Sequence, residues 1–162
     1  MCSSDLYSVS QPSNCSFTDT VNVTASNPLT SDTATGMHDA TCSASPTARI
    51  EVTKSCTNHL VTNATTGHLE DKVDFSGTVC ASRAGTNSDV KLNNLMVSDD
   101  QGGITSNNCS SLVRGACCQY SGSYFPTDAS TCTAADTVTA SGTGICATSD
   151  MNNKQATCTL CQ

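Results

Sequence analysis

The sequence predicts an all-β protein built as an antiparallel sandwich and cross-linked by disulfides. Apolar and polar residues alternate with a period of two, and no stretch shows helical periodicity. Leu, Ile, Val and Phe are too few for the core of a helical bundle. The chain of 162 residues contains 12 Cys, no Trp, three Phe and three Tyr. Because such a core buries little aromatic surface, covalent cross-links have to supply much of its rigidity.

An internal repeat divides the chain. The matching pieces, about 115 residues apart, are residues 7–10 with 120–123, Cys15 with Cys132, 19–21 with 136–138, and 40–42 with 156–158. This period corresponds to one small sandwich domain. We therefore predict that residues 1–46 are the C-terminal strands of a preceding repeat, which forms a partial second sandwich. Residues 47–162 are predicted to be a complete β-sandwich repeat.

Strands follow one another through the complete repeat, separated by clusters of Gly, Asn, Asp and Pro. The first predicted strand contains Ile50, Val52 and Lys54, the second contains Val73, Phe75, Gly77 and Val79, and the third contains Val90, Leu92, Leu95 and Val97. Further strands are predicted near residues 116–124, 135–141 and 155–160. The step from Leu92 to Leu95 interrupts the alternation, which predicts a β-bulge at Asn93 and Asn94. Residues 99–103 predict a turn.

In order and spacing, five pieces of the complete repeat resemble a known family. They are residues 50–56, 73–79, 90–101, 120–124 and 136–142. The repeat resembles the immunoglobulin-like tandem repeats of bacterial surface proteins called the conserved repeat domain, the eleventh domain of unknown function. The resemblance implies an immunoglobulin-like β-sandwich in a long surface protein and implies no catalysis. Cys109, Cys117 and Cys118 exceed the cysteines expected from that family.

Cysteine usage predicts disulfides in an oxidising compartment, so we expect an extracellular or cell-surface location. The alternative is zinc or redox chemistry at Cys158 and Cys161, the one CxxC pair, but no second pair of this spacing accompanies it. The disulfide candidates are Cys15, Cys42, Cys56, Cys80, Cys132, Cys146 and Cys158. The one bridge that we predict specifically links Cys132 either to Cys158 or to Cys146.

Charge and hydropathy exclude several partners. A net charge of -7 disfavours nucleic acid and anionic membrane surfaces. No stretch approaches the roughly 18 apolar residues of a membrane span, so no membrane insertion is expected. Residues 1–6 lack the pattern of a signal peptide. We therefore expect the chain to be an internal piece of a longer one, with residues 1–6 a candidate artefact.

No cofactor or catalytic group is predicted. His38, His59 and His68 lie in polar stretches that we interpret as exposed loops, without the spacing of a metal site or catalytic dyad. Asp89, Asp99 and Asp100 are calcium candidates at one end of the sandwich, although a hydrogen-bonded turn explains residues 99–103 as well. The glycosylation candidates are Asn14, Asn22, Asn63 and Asn108.

These patterns predict a structural stalk or spacer module of a secreted or cell-surface, filamentous protein, without catalysis. Its expected partners are neighbouring repeats of the same protein or a strand-sharing homo-oligomer. The alternative is an adhesin module that binds glycan or protein through loops. The connection from Gly102 to Arg114 suggests that alternative, because it is longer than a usual hairpin loop.

Overall fold

The computed structural model describes residues 15–127 and 131–160. The chain divides into two compact units, one ending at Ser45 and the other beginning at Pro46. Predictions that concern Tyr7, Asn14 or Cys161 lie outside the described residues.

The described part of the first unit is a β-hairpin. β1 (Ser16–Ser26) and β2 (Thr33–Ser43) pair antiparallel along their whole length. Most of their side chains are exposed, including the apolar Val21, Val23 and Met37. Within the described residues, the buried core includes no side chain of this hairpin.

The first sheet of the second unit has five strands. They are β3 (Glu51–Val52), β4 (Ser55–Thr62), β5 (Leu69–Cys80), β9 (Ile104–Asn107) and β10 (Cys117–Tyr124). β5 pairs with β10 on one side and with β3 and β4 on the other, while β9 pairs with the far side of β10. β3 and β4 keep a single register along β5, so they are in effect one strand interrupted at Thr53 and Lys54.

The second sheet contains β8 (Asn93–Asp99), β11 (Thr133–Thr143) and β12 (Ser149–Thr159), in the order β12-β11-β8. A small hairpin of β6 (Ser82–Arg83) and β7 (Thr86–Asn87) separates β5 from β8 along the chain. In the lettering used for immunoglobulin domains, β3 with β4 is strand A, β5 is strand B, and β8 to β12 are strands C to G. The two sheets then have the orders A-B-E-D and G-F-C. This is the strand order of constant-type immunoglobulin domains. The predicted class, an all-β antiparallel sandwich with disulfides, is confirmed.

One core of mostly small side chains fills the space between the two sheets. Val73, Phe75 and Val79 face it from β5, as their alternation predicts, and Leu95 and Val138 face it from the second sheet. Full burial of such a side chain contributes about 1.5–3 kcal/mol.

The first and last strands of this unit run parallel beside each other. Three contacts define the alignment: Asn152 Nδ2 donates to the Ile50 carbonyl at 3.0 Å, Cys56 is bonded to Cys158, and Asn58 Nδ2 donates to the Leu160 carbonyl at 2.8 Å. The partners are 102 residues apart in every case. The start of the first strand therefore lies at the opposite end from the finish of β12.

The predicted bulge is confirmed, and one strand prediction needs correction. The pairing of β8 with β11 shifts by one residue opposite Gly142, and Asn94 at this bulge has a left-handed φ of 50°. β8 begins only at Asn93. Val90 and Leu92 were predicted to belong to this strand, but they are buried in the segment before it, where Leu92 forms a β-bridge with Leu112.

Gly77 leaves the space through which Tyr120 reaches the first strand. The Tyr120 hydroxyl passes over Gly77 and donates to the Thr53 carbonyl at 2.6 Å. A Cβ on Gly77 would clash with that carbonyl oxygen.

We expect Gly77→Ala to lower the free energy of unfolding, measured in urea, by about 2–3 kcal/mol, because paired backbone cannot move aside. Gly36→Ala adds the same methyl group where nothing lies within 4 Å, and it should cost less than about 0.5 kcal/mol. Equal losses for the two variants would contradict this account.

Candidate functional site

Lys54 is buried inside the sandwich. Side chains alternate along a strand, so Lys54 follows Ile50 and Val52 on the face that points to the core. Its side chain is 0% exposed. Because a buried ammonium loses its hydration, it needs nearby charges and hydrogen bonds to be tolerated.

Two aspartates from the opposite sheet contact this ammonium. Asp99 ends β8 and Asp136 lies in β11. Lys54 Nζ donates to Asp99 Oδ2 at 2.5 Å and forms an ion pair with Asp136 Oδ1. Both aspartate side chains are also 0% exposed. The cluster of Lys54, Asp99 and Asp136 therefore connects the two sheets through the core.

The two carboxyl groups of this cluster have different surroundings. Asp99 Oδ1 accepts a hydrogen bond from the Gln101 amide at 3.1 Å. Within the described parts of the chain, no backbone amide donates to the carboxyl group of Asp136. Burial, together with the neighbouring Asp99, raises the pKa of Asp136 to about 6, despite the opposing effect of Lys54. Asp136 is therefore protonated more readily than an ordinary aspartate at mildly acidic pH.

An aromatic ring covers the ammonium of the cluster, and two further rings lie beside that ring. Lys54 Nζ lies 4.4 Å from the centroid of the Phe75 ring. That centroid is 6.5 Å from the ring of Tyr120 and 6.2 Å from the ring of Tyr124. Burial raises the pKa of both tyrosines, so their hydroxyl groups stay protonated. Because the charged side chains are buried, they interact more strongly than they would at the surface.

The structure separates the three calcium candidates. Asp99 and Asp100 lie together with Asp136, and their ligand oxygens are within 4.8 Å of one another. Asp89 does not belong to this group, and its carboxylate instead accepts a hydrogen bond from a backbone amide near the start of the unit, at 3.0 Å. Lys54 supplies the positive charge beside Asp99 and Asp136.

The disulfides of the second unit include three whose two partners lie in its described residues. Cys56–Cys158 joins β4 to β12 and thus links the sheets, Cys80–Cys117 joins β5 to β10, and Cys109–Cys118 joins the segment after β9 to β10. Cys15, Cys42, Cys132 and Cys146 are also disulfide-bonded. The residues that exceeded the family expectation, Cys109, Cys117 and Cys118, therefore all serve as cross-links.

Of the two bridges predicted for Cys132, the one to Cys158 is wrong, and the one to Cys146 stays a prediction. Cys158 pairs with Cys56, which lies beside it on the parallel first strand. The separation of 102 residues hides this neighbour from sequence reasoning. Since its sulfur is in a disulfide, Cys158 cannot supply a thiolate to zinc.

Two of the histidines lie in strands, which corrects their interpretation as loop residues. His38 is in β2 and His59 is in β4. His59 is partly exposed and its Nε2 lies 3.5 Å from Asp74 Oδ2. His68 precedes β5 in a turn. Apolar and polar residues do not alternate regularly around these histidines, so the pattern that reveals a half-buried strand is missing.

The asparagines of the glycosylation motifs differ in their surroundings. Asn22 and Asn108 are exposed. Asn63 Nδ2, the atom that a glycan would modify, donates to Glu70 Oε2 at 2.7 Å.

The connection from Gly102 to Arg114 is not the long free loop that the sequence suggested. It contains β9 and the isolated bridge at Leu112. Cys109 is joined to Cys118, and Leu112 is buried. These attachments remove the observation that favoured loop-mediated adhesion.

The buried cluster was missed by sequence reasoning, although the sequence holds a signal for it. Lys54 continues the apolar row of Ile50 and Val52, and Asp136 begins the row that continues with Val138. A charged residue in such a row must either face the core or end the strand. Opposite charges at such places in two strands indicate a buried pair.

No family model, curated protein or solved structure matches this chain significantly. The function is therefore argued from the geometry of the described residues.

Proposed function

We propose that this chain is a structural stalk or spacer module of a secreted or cell-surface protein. The observation that carries the proposal is the parallel alignment of the first strand and β12, joined by Cys56–Cys158. Tension between Pro46 and Leu160 slides these strands past each other. Their contacts must then break together, whereas strands that peel apart lose contacts one at a time. This geometry suits a module that transmits force.

The disulfide also shortens the path of the load. Tension that enters at Pro46 reaches Cys56, crosses the bond to Cys158 and leaves after Leu160. Residues 57–157 lie outside this path. The cross-linked unit can therefore resist extension even when its sheets separate.

The two hairpins support an arrangement in tandem copies. Each strand of β1–β2 and of β11–β12 has 11 residues. Cys15 and Cys132 have left-handed φ values of 52° and 53°. The carbonyl of each accepts a backbone hydrogen bond, from Ala44 at 2.9 Å and from Leu160 at 2.8 Å. The partners we propose are neighbouring copies in the same protein or a strand-sharing homo-oligomer.

The surface and the cross-links agree with an extracellular setting. Multiple disulfides suggest an oxidising environment. Only 13% of residues are charged, so hydroxyl and amide groups provide most of the polar surface. In residues 15–127 and 131–160 there is no helix with the length and apolar character of a membrane span.

Single-molecule stretching of the full chain tests the mechanical role. Handles are attached to the two ends by chemistry that does not use thiols. In the oxidised chain, we expect the segment between Cys56 and Cys158 not to extend under force. The extended length of this segment is about 350 Å. Reduction should allow further extension.

The matched control is the variant Cys56→Ala with Cys158→Ala, which keeps the bridges Cys80–Cys117 and Cys109–Cys118. It should extend further than the wild type without reductant. If the oxidised wild type extends as far as this variant at the same force, the proposed mechanical role is wrong.

A further inference from the structure

An amine and two carboxyl groups are in contact in the buried interior of this protein. Lys54 Nζ contacts Asp99 Oδ2 and Asp136 Oδ1, and all three side chains are 0% exposed. Such groups can remain an ion cluster, or they can condense. Fixing reactants in contact raises their effective concentration to about 10⁵–10⁸ M, which favours a reaction that is negligible between free side chains.

We propose that Lys54 and Asp136 condense to an intramolecular amide, an isopeptide bond, with Asp99 as the proton carrier. The inference rests on the local geometry and does not depend on the stalk function. The reaction occurs once in each molecule, so it is a self-modification and not an enzymatic turnover.

Asp136 is the acceptor that the surroundings favour. A neutral carboxyl group is a better electrophile than a carboxylate, and burial favours the neutral form of Asp136, whose pKa rises to about 6. No backbone amide in the described residues stabilises its anion. Asp99 Oδ1 accepts a hydrogen bond from the Gln101 amide, and its Oδ2 lies 2.5 Å from Lys54 Nζ, within reach of the proton to be moved. Asp99 is therefore suited to act as the base.

The condensation balances without any further reactant. A proton moves from Lys54 Nζ to Asp99 Oδ2 along their 2.5 Å hydrogen bond. The freed lone pair of Nζ attacks the carboxyl carbon of Asp136 and forms the C–N bond, while the C=O electron pair moves onto oxygen. Asp99 then gives its proton to the hydroxyl group of Asp136. The electron pair on the other oxygen re-forms the C=O bond, the C–O bond breaks, and the hydroxyl group leaves as water. The second proton of the amine returns to Asp99, and no atom is oxidised or reduced.

Charges and surroundings favour the product. The three groups carry no net charge at the start, when Asp136 is protonated, and none at the end, when Asp99 holds the proton. The buried ammonium and carboxylate are both replaced by neutral groups, which removes the cost of holding charges away from water. The burial of all three side chains and the Phe75 ring over Lys54 limit the return of water that hydrolysis would need.

The bond would lie next to the inter-sheet disulfide. Lys54 is two residues before Cys56 on the same face of the first strand. Asp136 is two residues after Ala134, which pairs with Cys158. Two neighbouring covalent links would thus join the sheets, and the amide would persist under reducing conditions that cleave the disulfide.

Mass spectrometry of the full chain, after reduction and alkylation in denaturant, tests the proposal. We expect a mass lower by one water molecule than the sequence requires. Trypsin should no longer cleave after Lys54, because the amide removes its charge. Residues 50–72 should therefore appear linked to residues 115–154, the tryptic peptide that contains Asp136.

Other outcomes overturn the proposal or part of it. A folded chain with the full mass and normal cleavage after Lys54 overturns it. A link from residues 50–72 to 92–114, the tryptic peptide with Asp99, overturns Asp136 as the acceptor. A link that forms equally fast in the variant Asp99→Asn overturns the role of Asp99.

Matched variants identify the source of a lost water molecule. Lys54→Arg keeps the positive charge but should restore the full mass, whereas Lys72→Arg, at a partly exposed lysine, should keep the loss. If Lys54→Arg fails to fold, the cross-linked peptide of the wild type still decides the question. Stretching the reduced chain adds a separate readout, because an amide would keep the segment between residues 54 and 136 from extending. The total extension would then be shorter by about 280 Å. The amide can form in a protein that has no mechanical role, and a mechanical role does not require the amide. The two proposals therefore fail independently.

Discussion

Replacing Lys54 by methionine is expected to lower the free energy of unfolding by about 3–5 kcal/mol. The change removes the positive charge and leaves Asp99 and Asp136 buried beside each other, both 0% exposed. Removing one partner from a buried ion cluster is costly because the remaining charge has neither water nor a counter-ion. Urea unfolding at pH 7 measures the loss. The expectation holds for an ionic or an amide-linked cluster, because Lys54 takes part in both.

Two further variants test the cause of this loss. Lys72→Met removes a lysine whose Nζ lies 3.1 Å from Asp74 Oδ1, with both side chains partly exposed, and should cost less than about 1 kcal/mol. Adding Asp136→Leu to Lys54→Met should recover part of the loss, because it removes one of the two carboxyl groups left without a counter-ion, while Asp99 keeps its hydrogen bond from the Gln101 amide. A loss for Lys54→Met no larger than for Lys72→Met would show that the cluster does not stabilise the fold.

Removing the bridge between Cys56 and Cys158 is expected to cost about 4–5 kcal/mol. The bond closes a loop of 102 residues, and the chain-entropy model assigns most of this stabilisation to restriction of the unfolded chain. The variant Cys56→Ala with Cys158→Ala should therefore unfold at a much lower urea concentration, with a steeper transition because the unfolded chain is more open.

The bridge between Cys109 and Cys118 provides the matched comparison. It joins buried cysteines in the same unit but spans only 9 residues. The same model gives about 2.5 kcal/mol for its removal. If the short bridge costs as much as the long one, loop entropy is not the main source of stabilisation by Cys56–Cys158.

Sequence patterns predicted the strands where one face is apolar and the other is polar. Val73, Phe75 and Val79 were placed on one face of a strand, and they are buried there. The bulge near Asn94 was visible because an extra residue shifts the alternation. Where neither face is uniformly apolar, as around His59 in β4, the pattern carried no information about the strand.

The sequence by itself determined the all-β class, the direction in which the core residues of β5 point, and the need for disulfides. These properties follow from local alternation and composition. Only the tertiary structure decided that Cys56 meets Cys158 and that Lys54 meets Asp99 and Asp136. Those contacts join residues that are far apart in the chain, and a period of two specifies the face of a strand but not the strand it packs against. The pairing of the two sheets, which brings these groups together, is set by burial of the whole core.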